Sequence, residues 1–478
     1  MRLTIKKMNK LNLINLKKIV LLLSTFFYSA IYSQTQTFPA NKVFSYGLMA
    51  ANRNSQDASD SYSIWKTNFI EPCSNGRYRV KFDASTQTVS EGIGYGMLLT
   101  VYKADKTEFD GLWNYYKDNR NTNGVMNWKI NGCSGTIGQN GATDAELDVA
   151  MALIVADYQW GSAGAINYRT DAQTLIGAIK NHEIEANTFV LKPGDMFGGS
   201  TLTNPSYFAP AYCKAFGVFT NDTAYWDNVA NKSYTIINAN LSQNNAVGGL
   251  VSDWCQASGV YSSESSGYVN QGKTYNYDAA RTPWRIATDY VWYGTNDGQV
   301  YAKKASDFVR VTLAGTQNIK DGYNQNGTLI GQYHNATFVG AFACAAMAGQ
   351  NQTHLDASYT DLKNLNEPNN YFNHTLKTLY LFLLSGNFYL PNSVNLPRAN
   401  FENTDLNIVV FPNPSNGTFK IQVPANAIVS VMDMQGKIIL QKEIGSNTTE
   451  LRLNQRSGLY LLKINTTEGT TYKKIIVN

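Results

Sequence analysis

The sequence predicts a mainly helical domain followed by a small β-sandwich. Between about residues 60 and 390, apolar side chains recur mostly at helical spacing. From Leu406 onwards, short strand-like runs alternate with turn residues. The 478 residues suffice for two domains and a sizeable core. We place the boundaries at 1–33 for a leader, 34–391 for the helical domain, 392–405 for a linker without periodicity, and 406–478 for the sandwich.

Residues 1–33 have the pattern of a secretory signal peptide. Six basic residues and no acidic ones precede an apolar run from Ile19 to Tyr28, and small residues follow as far as Ser33. The run is too short to span a bilayer, and no later segment is apolar for long enough. We therefore expect a soluble, exported protein. Without the leader, 34 basic residues stand against 35 acidic ones, and no Lys/Arg cluster indicates nucleic-acid binding.

Eight segments of the first domain show a clear helical pattern. The connections at 121–143 and 242–276 are long and rich in Gly, Asn, Ser and Thr. Long loops on a rigid helical frame often carry binding sites. The expected helices are 91–104, 109–117, 145–160, 172–184, 226–241, 279–293, 335–347 and 371–385.

Cysteine and histidine usage gives no framework for a metal site. The four histidines are scattered, and the five cysteines are odd in number and far apart. One disulfide bridge is compatible with this pattern, and free buried thiols are the alternative. We expect no metal, nucleotide or organic cofactor. The cysteines are Cys73, Cys133, Cys213, Cys255 and Cys344.

Seven short strands are predicted in the second domain, with turn signals between them. That number in some 70 residues is typical of a β-sandwich. The strands are expected at 407–411, 418–423, 428–433, 437–443, 450–453, 459–465 and 471–477.

Four blocks in this domain have a characteristic order and spacing. They are Phe411-Pro412-Asn413-Pro414 with Gly417, Val431-x-Asp433-x-x-Gly436-Lys437, Ser457-Gly458-Leu459-Tyr460, and Lys473-Lys474-Ile475-Ile476-Val477. With these blocks the domain resembles the type IX secretion sorting domain. The resemblance implies an address that the type IX secretion machinery recognises and that is usually removed at the cell surface. A carbohydrate-binding or adhesion module is the alternative, although no exposed aromatic row is evident.

Residues 88–97 combine one carboxylate, Glu91, with three glycines at an expected helix start. Ser90 can cap this helix. A glycine within a helix costs about 1 kcal/mol relative to alanine, so Gly92, Gly94 and Gly96 suggest that something approaches the backbone closely. A sugar ring is one candidate and tight helix–helix packing is the other. The spacing is not that of a dinucleotide fingerprint, and no strand pattern precedes it.

Two further acidic motifs lie in the helical domain. Thr143 or Asp144 can cap a helix, and Asp278 and Arg281 are spaced to pair on one helix face. Glycoside hydrolysis needs one protonated carboxyl and one ionised carboxylate. Arg281 beside Asp278 would keep that carboxylate ionised. For Glu91, burial and a nearby Asp144 would have to raise the pKa against the lowering effect of the helix N-terminus.

Several blocks between about residues 65 and 388 occur in one characteristic order. With these blocks the domain resembles glycoside hydrolase family 8, and within it the bacterial endo-β-1,4-glucanases. The resemblance implies an (α/α)6 barrel of six inner and six outer helices with a long cleft across one end. The blocks are 88–99, 109–112, 126–128, 142–160, 191–195, 203–210, 250–255, 277–281, 334–336 and 385–388.

The resemblance also implies roles for individual residues. Glu91 matches the general acid and Asp278 the general base of an inverting mechanism. Arg281 would orient Asp278 and stabilise its charge. Tyr207 would share the attacking water with Asp278, and Asp144 would hold the sugar at the cleavage subsite in a distorted ring form.

Aromatic residues are expected to bind the sugar chain. Trp128 matches a platform in the glycone subsites, and Tyr277 and Tyr95 are further substrate-binding candidates. Phe197 stands on the leaving-group side, where close relatives in the family carry a Trp platform, and a smaller ring should stack less well. The family's helix signature usually has Asp where this chain has Glu146.

The leading hypothesis is an exported, inverting endo-β-1,4-glucanase that cuts cellulose-type or mixed-linkage glucans. A xylanase or chitosanase of the same family is the alternative, although Asp278 argues against the chitosanase branch. A non-catalytic glycan-binding protein is the alternative from another class. The expected partners are a β-1,4-linked polysaccharide and the secretion machinery, and we expect a monomer.

Overall fold

A computed structural model describes most of the chain from residue 38 onwards. The described residues are 38–262, 273–392, 409–422, 427–433, 438–445, 448–466 and 469–478. The chain divides near residue 395 into two compact units. The signal peptide predicted at 1–33 lies outside the described residues, as does the predicted linker apart from Asn392.

Twelve α-helices in the described part of the first unit alternate between an inner and an outer ring. Each inner helix packs against the next, and α12 closes the ring on α2. The predicted (α/α)6 barrel is thus confirmed. The inner helices are α2 (Ser90–Lys103), α4 (Thr143–Trp160), α6 (Pro210–Thr220), α8 (Thr282–Tyr293), α10 (Ala336–Ala346) and α12 (Tyr371–Leu384). The outer helices are α1 (Ser55–Phe69), α3 (Lys106–Asp118), α5 (Tyr168–His182), α7 (Thr223–Gln243), α9 (Asn296–Asp307) and α11 (Gln352–Asn364).

The two rings differ in how their side chains are buried. Outer helix α3 buries one stripe, formed by Phe109, Leu112, Trp113 and Tyr116 at helical spacing. Each such side chain contributes roughly 1.5–3 kcal/mol when fully buried. Inner helix α4, which is covered on all sides, buries nearly all its residues. None of the helices among the described residues is long and apolar enough to cross a membrane.

All eight predicted helical segments are confirmed, with ends that shift by a few residues. The pattern did not single out α1, α6, α9 and α11. Helix α9 illustrates the reason, since its buried face consists largely of small residues such as Gly298, Ala302 and Ala305. A face of this kind contains few large apolar side chains for a sequence pattern to mark.

The three glycines of α2 serve helix packing. A Cβ atom at Gly94 would lie 3.0 Å from both the Ala145 carbonyl oxygen and the Asp148 Cβ atom on α4. A Cβ atom at Gly92 would lie 2.9 Å from the Tyr371 hydroxyl. A Cβ atom at Gly96 would lie 2.8 Å from Val80 Cγ2. The close approach therefore comes from neighbouring protein elements, and the suggestion of a sugar ring against this backbone is wrong.

Two local expectations at the helix starts are also wrong. No side chain caps α2 or α4, so the caps expected at Ser90 and at Thr143 or Asp144 do not form. A short strand, β3 (Gln87–Val89), leads directly into α2, although no strand pattern was recognised there. Only three residues form that strand, which is too few for a periodic signal.

Short strands and turns connect the helices. A disulfide between Cys73 and Cys133 joins the β1–β2 turn to the β4–β5 turn, so one bridge forms, as the sequence allowed. Cys213, Cys255 and Cys344 are free and buried. The strands are β1 (Ile70–Pro72), β2 (Tyr78–Val80), β4 (Lys129–Asn131), β5 (Thr136–Gly138), β6 (Thr274–Tyr275) and β7 (Tyr323–Asn324). Short 3-10 turns cover Ser74–Gly76, Pro205–Tyr207 and Thr316–Asn318, and a π-turn covers Phe308–Thr312.

The C-terminal unit is a β-sandwich of two antiparallel sheets, as predicted. One has the strand order β11-β10-β13-β14 and the other β12-β9-β8. Phe419, Val429 and Leu462 are among the side chains buried between them. The strands among the described residues of this unit are β8 (Val409–Phe411), β9 (Thr418–Gln422), β10 (Ala427–Met432), β11 (Ile438–Ile444), β12 (Thr448–Arg452), β13 (Gly458–Thr466) and β14 (Gly469–Val477).

Candidate active site

Two adjoining cavities lie at the N-terminal ends of inner helices α2, α4 and α8. Their volumes are about 400 and about 520 Å³, and both are lined by Phe82 and Asp278. The smaller cavity is also lined by Glu91, Tyr277, Arg281 and Phe372, among others. The larger cavity is also lined by Trp128, Phe197, Tyr207 and Trp254, among others.

Arg281 connects the starts of three inner helices. Its guanidinium is almost fully buried. The Nη1 atom donates to Asp144 Oδ2 at 2.6 Å and to Glu91 Oε2 at 2.8 Å. It also donates to the Tyr95 hydroxyl at 2.9 Å, and Nη2 donates to Ser206 Oγ at 3.2 Å. Two of the predicted carboxylates therefore share one buried cation.

Asp278 is held by a different donor, so the expected pairing with Arg281 is wrong. Helix α8 begins only at Thr282, and Asp278 lies in the turn before it, where a spacing of three does not define a helix face. Asp278 Oδ2 accepts from Trp254 Nε1 at 2.9 Å. Burial raises the pKa of Asp278, while the Trp254 hydrogen bond and the charge of Arg281 oppose the rise and Asp144 adds to it.

Glu91 combines burial with two hydrogen-bond donors. Besides Arg281, the Tyr371 hydroxyl donates to its Oε1 atom at 3.0 Å. Burial raises the pKa of Glu91 to about 7, with Asp144 adding to the rise and Arg281 and Tyr371 opposing it. Burial therefore outweighs the groups that favour the charged form.

A second ion pair lies one helical turn beyond the first. Arg285 on α8 donates from both terminal nitrogens to the two Asp148 oxygens on α4, at 2.5 and 2.7 Å. Both side chains are fully buried, and this two-point geometry fixes their mutual orientation. The pair keeps α4 and α8 in the register that brings Arg281 to Asp144.

Three of the predicted substrate-binding rings are exposed in the cavities. Tyr277 is 38% exposed, and its hydroxyl donates to Asp321 Oδ2 and accepts from Asn335 Nδ2, both at 2.9 Å. Trp128 is 42% exposed and Phe197 47% exposed. These two rings line the same cavity, which Asp278 also lines.

Tyr95 differs from the other predicted rings. Its side chain is fully buried, and its hydroxyl accepts from Arg281. The expectation that Tyr95 contacts substrate is therefore wrong. Its hydroxyl instead helps to hold the Arg281 guanidinium in place. In the sequence it shares the glycine-rich segment of Glu91, which gave no sign of the direction in which its ring points.

Several residues of the site carried no predicted role. Ser206 and Trp254 lie in blocks that pointed to the family, so they were within reach of the sequence argument. Phe82 and Phe372 line the cavities from a loop and from the start of α12. No motif in the sequence marked Phe82.

A cluster of buried acids lies near Asp144. Glu146 Oε1 accepts from the Tyr116 hydroxyl and the Met126 N–H, both at 3.1 Å. Burial raises the pKa of Glu146 and of Glu183 well above the usual range; Asp144 adds to the rise at Glu146, and Glu146 adds to the rise at Glu183. Within the described residues, no three His, Cys, Asp or Glu side chains are grouped as metal ligands would be.

A helical barrel with carboxylates and exposed rings in one cleft is the architecture of a glycoside hydrolase. Residues 36–386 match the family model described as glycosyl hydrolases family 8. The chain belongs to glycoside hydrolase family 8. Residues 409–478 match the model of the secretion system C-terminal sorting domain, which confirms the predicted sorting domain.

Proteins similar to this chain include named glucan hydrolases. Endoglucanase 2 of Ruminiclostridium josui is 42% identical over 73% of this chain and 76% of its own length. Endoglucanase A of Acetivibrio thermocellus is 37% identical over 89% of this chain and 84% of its own length. The solved β-1,3-1,4-glucanase of Paenibacillus sp. X4 superposes with a TM-score of 0.70 at 31% identity, covering 74% of this chain and 98% of that one.

Proposed function

We propose that this glycoside hydrolase is an inverting endo-β-1,4-glucanase that acts on cellulose-type or mixed-linkage glucans. The observation that carries the proposal is the pairing of Glu91 and Asp278 in one cavity with different surroundings. Glu91 is mostly buried, with 18% of its side chain exposed, and has a pKa raised to about 7, which suits a proton donor at neutral pH. The substrate class is supported by the relatives, which are named endoglucanases and a β-1,3-1,4-glucanase.

The proposed mechanism uses two carboxyl groups and one water. Glu91 gives its proton to the leaving glycosidic oxygen as the bond from that oxygen to the anomeric carbon breaks. A water attacks the same carbon from the opposite face, and Asp278 takes up its proton. Tyr207 lines the larger cavity with Asp278 and would orient that water. Asp144, fixed by Arg281, would hold the sugar in a distorted ring form.

Trp128, Tyr277 and Phe197 would supply stacking surfaces for the sugar chain. Flat aromatic faces exposed in a cleft suit the apolar faces of sugar rings. Trp128 and Phe197 together would bind the part of the chain that occupies the larger cavity. Tyr277 and Phe372 would serve the part in the smaller cavity.

Cleavage of cellopentaose by the chain from residue 34 to 478 tests the proposal. Proton NMR in the first minutes should show the α-anomer first, because one displacement inverts the β-linkage. Initial appearance of the β-anomer would overturn the mechanism. Xylopentaose and chitosan pentamer in parallel reactions distinguish the alternatives, since preferred cleavage of either would move the substrate to xylan or chitosan.

The proton-donor role predicts the effect of one substitution. Glu91→Gln should lower kcat by at least about a thousandfold, because the amide cannot protonate the leaving oxygen. Cellopentaose binding, measured by calorimetry, should remain. Turnover close to that of the unsubstituted enzyme would rule out Glu91 as the acid.

We also infer that the enzyme is exported and works outside the cell or at its surface as a monomer. A signal peptide ending near Ser33 would direct the first step, and the sorting domain at 409–478 would engage the type IX machinery for the second. A chain that ends at residue 391 should then remain inside the outer membrane, whereas the full chain should reach the medium or the surface. Sedimentation of the exported enzyme would report its oligomeric state.

A further inference from the structure

Asp253 holds the backbone of the turn that carries Asp278. Its buried carboxyl group accepts through Oδ1 from the N–H groups of Asn276 at 2.8 Å and Ala279 at 3.0 Å, on either side of Asp278. Burial and the charge of Asp278 raise the pKa of Asp253 to about 8, against these hydrogen bonds. Its Oδ2 accepts from the Thr274 hydroxyl at 2.7 Å. The Asp253 N–H in turn donates to the Thr274 carbonyl at 2.8 Å. One carboxylate thus ties down both flanks of the turn.

The next residue, Trp254, contacts the Asp278 carboxylate itself. Its Nε1 atom donates to Asp278 Oδ2 at 2.9 Å, and its ring is only 3% exposed. The backbone around Trp254 is also fixed. Its carbonyl accepts from the Ser262 N–H at 2.8 Å, and Cys255 exchanges two hydrogen bonds with Thr203, at 2.7 and 3.0 Å. The direction of the indole N–H is therefore set by the surrounding chain.

The other strong donor of the site is directed elsewhere. Arg281 places its guanidinium on Glu91 and Asp144. Among the described residues, the hydrogen bond we find on the Asp278 carboxylate therefore comes from a neutral donor. Such a donor favours the ionised form but does not neutralise its charge. A donor on Oδ2 also leaves Oδ1 for a water, which is what a general base requires.

We propose that Trp254 is a positioning residue for the general base Asp278, and that Asp253 fixes the turn beneath it. The inference rests on the proposed function, since it takes Asp278 as the group that activates water. The indole N–H orients the carboxylate towards the cavity and favours its ionised form. Asp253 keeps that carboxylate within reach of the indole.

Trp254→Phe is the variant that tests this, because it keeps an aromatic ring and removes the N–H. We expect kcat on cellopentaose to fall about tenfold or more, with KM changing less than about threefold. The acidic limb of the kcat/KM profile should move to higher pH, because loss of the donor raises the pKa of Asp278. A purely structural role for the indole would not move that limb.

A second readout does not depend on turnover. Aspartate labelled with ¹³C at the carboxyl carbon reports the titration of Asp278, whose signal is assigned by its loss in Asp278→Asn. The pKa of Asp278 should be higher in Trp254→Phe than in the unsubstituted enzyme. If the unsubstituted enzyme did not cleave β-glucans but this shift occurred, the contact would stand and the proposed substrate would fail.

Trp113→Phe is a matched control in the same barrel. Trp113 on α3 also donates from its indole to an aspartate, Asp171 on α5, at 2.7 Å, outside the two cavities. This control should leave the pH profile and the Asp278 titration unchanged. Thermal unfolding verifies that each variant is folded.

If Trp254→Phe does not fold, Asp253→Asn provides a second test, because it weakens the acceptors for the Asn276 and Ala279 N–H groups. It should lower kcat without a matching change in KM. An unchanged pKa of Asp278 together with unchanged kcat in the folded Trp254→Phe variant would overturn the proposal. For Asp253→Asn, unchanged kcat would do the same for the role of that residue.

Discussion

At the scale of single residues, the site depends on how one guanidinium is shared. Arg281 lies between Glu91 and Asp144. Burial removes its guanidinium from water, which costs free energy, and the two ion pairs oppose that cost. Burial nevertheless raises the pKa of Glu91 to about 7. Glu91 therefore binds and releases a proton close to neutral pH, which is the property that a general acid needs.

Tyr371→Phe should move the proton affinity of Glu91 in a defined direction. The Tyr371 hydroxyl donates to Glu91 Oε1 and favours the ionised form, so it lowers the pKa. Removing the hydroxyl should raise the pKa of Glu91. Because the acid must be protonated to act, the alkaline limb of kcat/KM on cellopentaose should shift to higher pH.

Tyr380→Phe on the same helix is the control for that variant. The Tyr380 hydroxyl is buried and has no hydrogen-bond partner among the described residues, so its loss should leave the pH profile unchanged. A shift of the alkaline limb to lower pH in Tyr371→Phe would contradict the assignment of that limb to Glu91.

At the scale of elements, the barrel places its chemistry between α4 and α8. The pairs Asp144–Arg281 and Asp148–Arg285 connect positions four residues apart on each chain segment, and so form two successive ion pairs between α4 and α8 across the inside of the inner ring. Gly94 on α2 allows the neighbouring helix α4 to approach closely, and Glu91 on the same helix shares Arg281 with Asp144 of α4. The proposed acid, Glu91, is thus positioned by the packing of α2.

The disulfide between Cys73 and Cys133 is expected to stabilise the β4–β5 hairpin, which follows Trp128. Removing it with Cys73→Ser and Cys133→Ser together should lower the free energy of unfolding by about 2–4 kcal/mol. KM for cellopentaose should rise more than kcat falls, because Trp128 would be held less firmly while Glu91 stays on α2.

Thermal unfolding and initial rates measure both effects of that double substitution. Reductant should shift the unsubstituted enzyme towards the variant and leave the variant unchanged. A fall in kcat at constant KM would show that the bridge supports the reacting groups instead of the sugar platform.

At the scale of the whole molecule, the sequence predicted both domains, eight inner or outer helices, all seven sandwich strands and a carboxylate set that the barrel brings together. It failed where the answer depends on tertiary neighbours. Asp278 and Arg281 are close in sequence, but Arg281 turns to Asp144, which is 137 residues away. The orientation of Tyr95 and the contact of Trp254 with Asp278 were missed for the same reason. Sequence spacing contains no information on which distant side chain completes a contact.

The buried acids predict how the stability of the barrel depends on pH. Burial raises the pKa of Glu183 well above the usual range, and Glu146, Asp195 and Asp144 add to the rise. The folded state therefore binds a proton that the unfolded chain releases above about pH 4.5. The contribution of that proton to the free energy of unfolding is complete below about pH 4.5. It is lost as the pH rises towards the raised pKa, by up to about 1.4 kcal/mol per pH unit.

Glu183→Gln removes this titration, so its unfolding temperature should exceed that of the unsubstituted enzyme by a margin that grows from pH 5 to pH 9. Glu185→Gln is the contrast, because hydrogen bonds from Ser200 and Thr188 lower the pKa of Glu185 against burial, and its ionised form persists throughout that range. The difference in unfolding temperature between Glu185→Gln and the unsubstituted enzyme should be constant above pH 6. If the difference in unfolding temperature between Glu183→Gln and the unsubstituted enzyme were also constant, Glu183 would be ionised in the folded barrel.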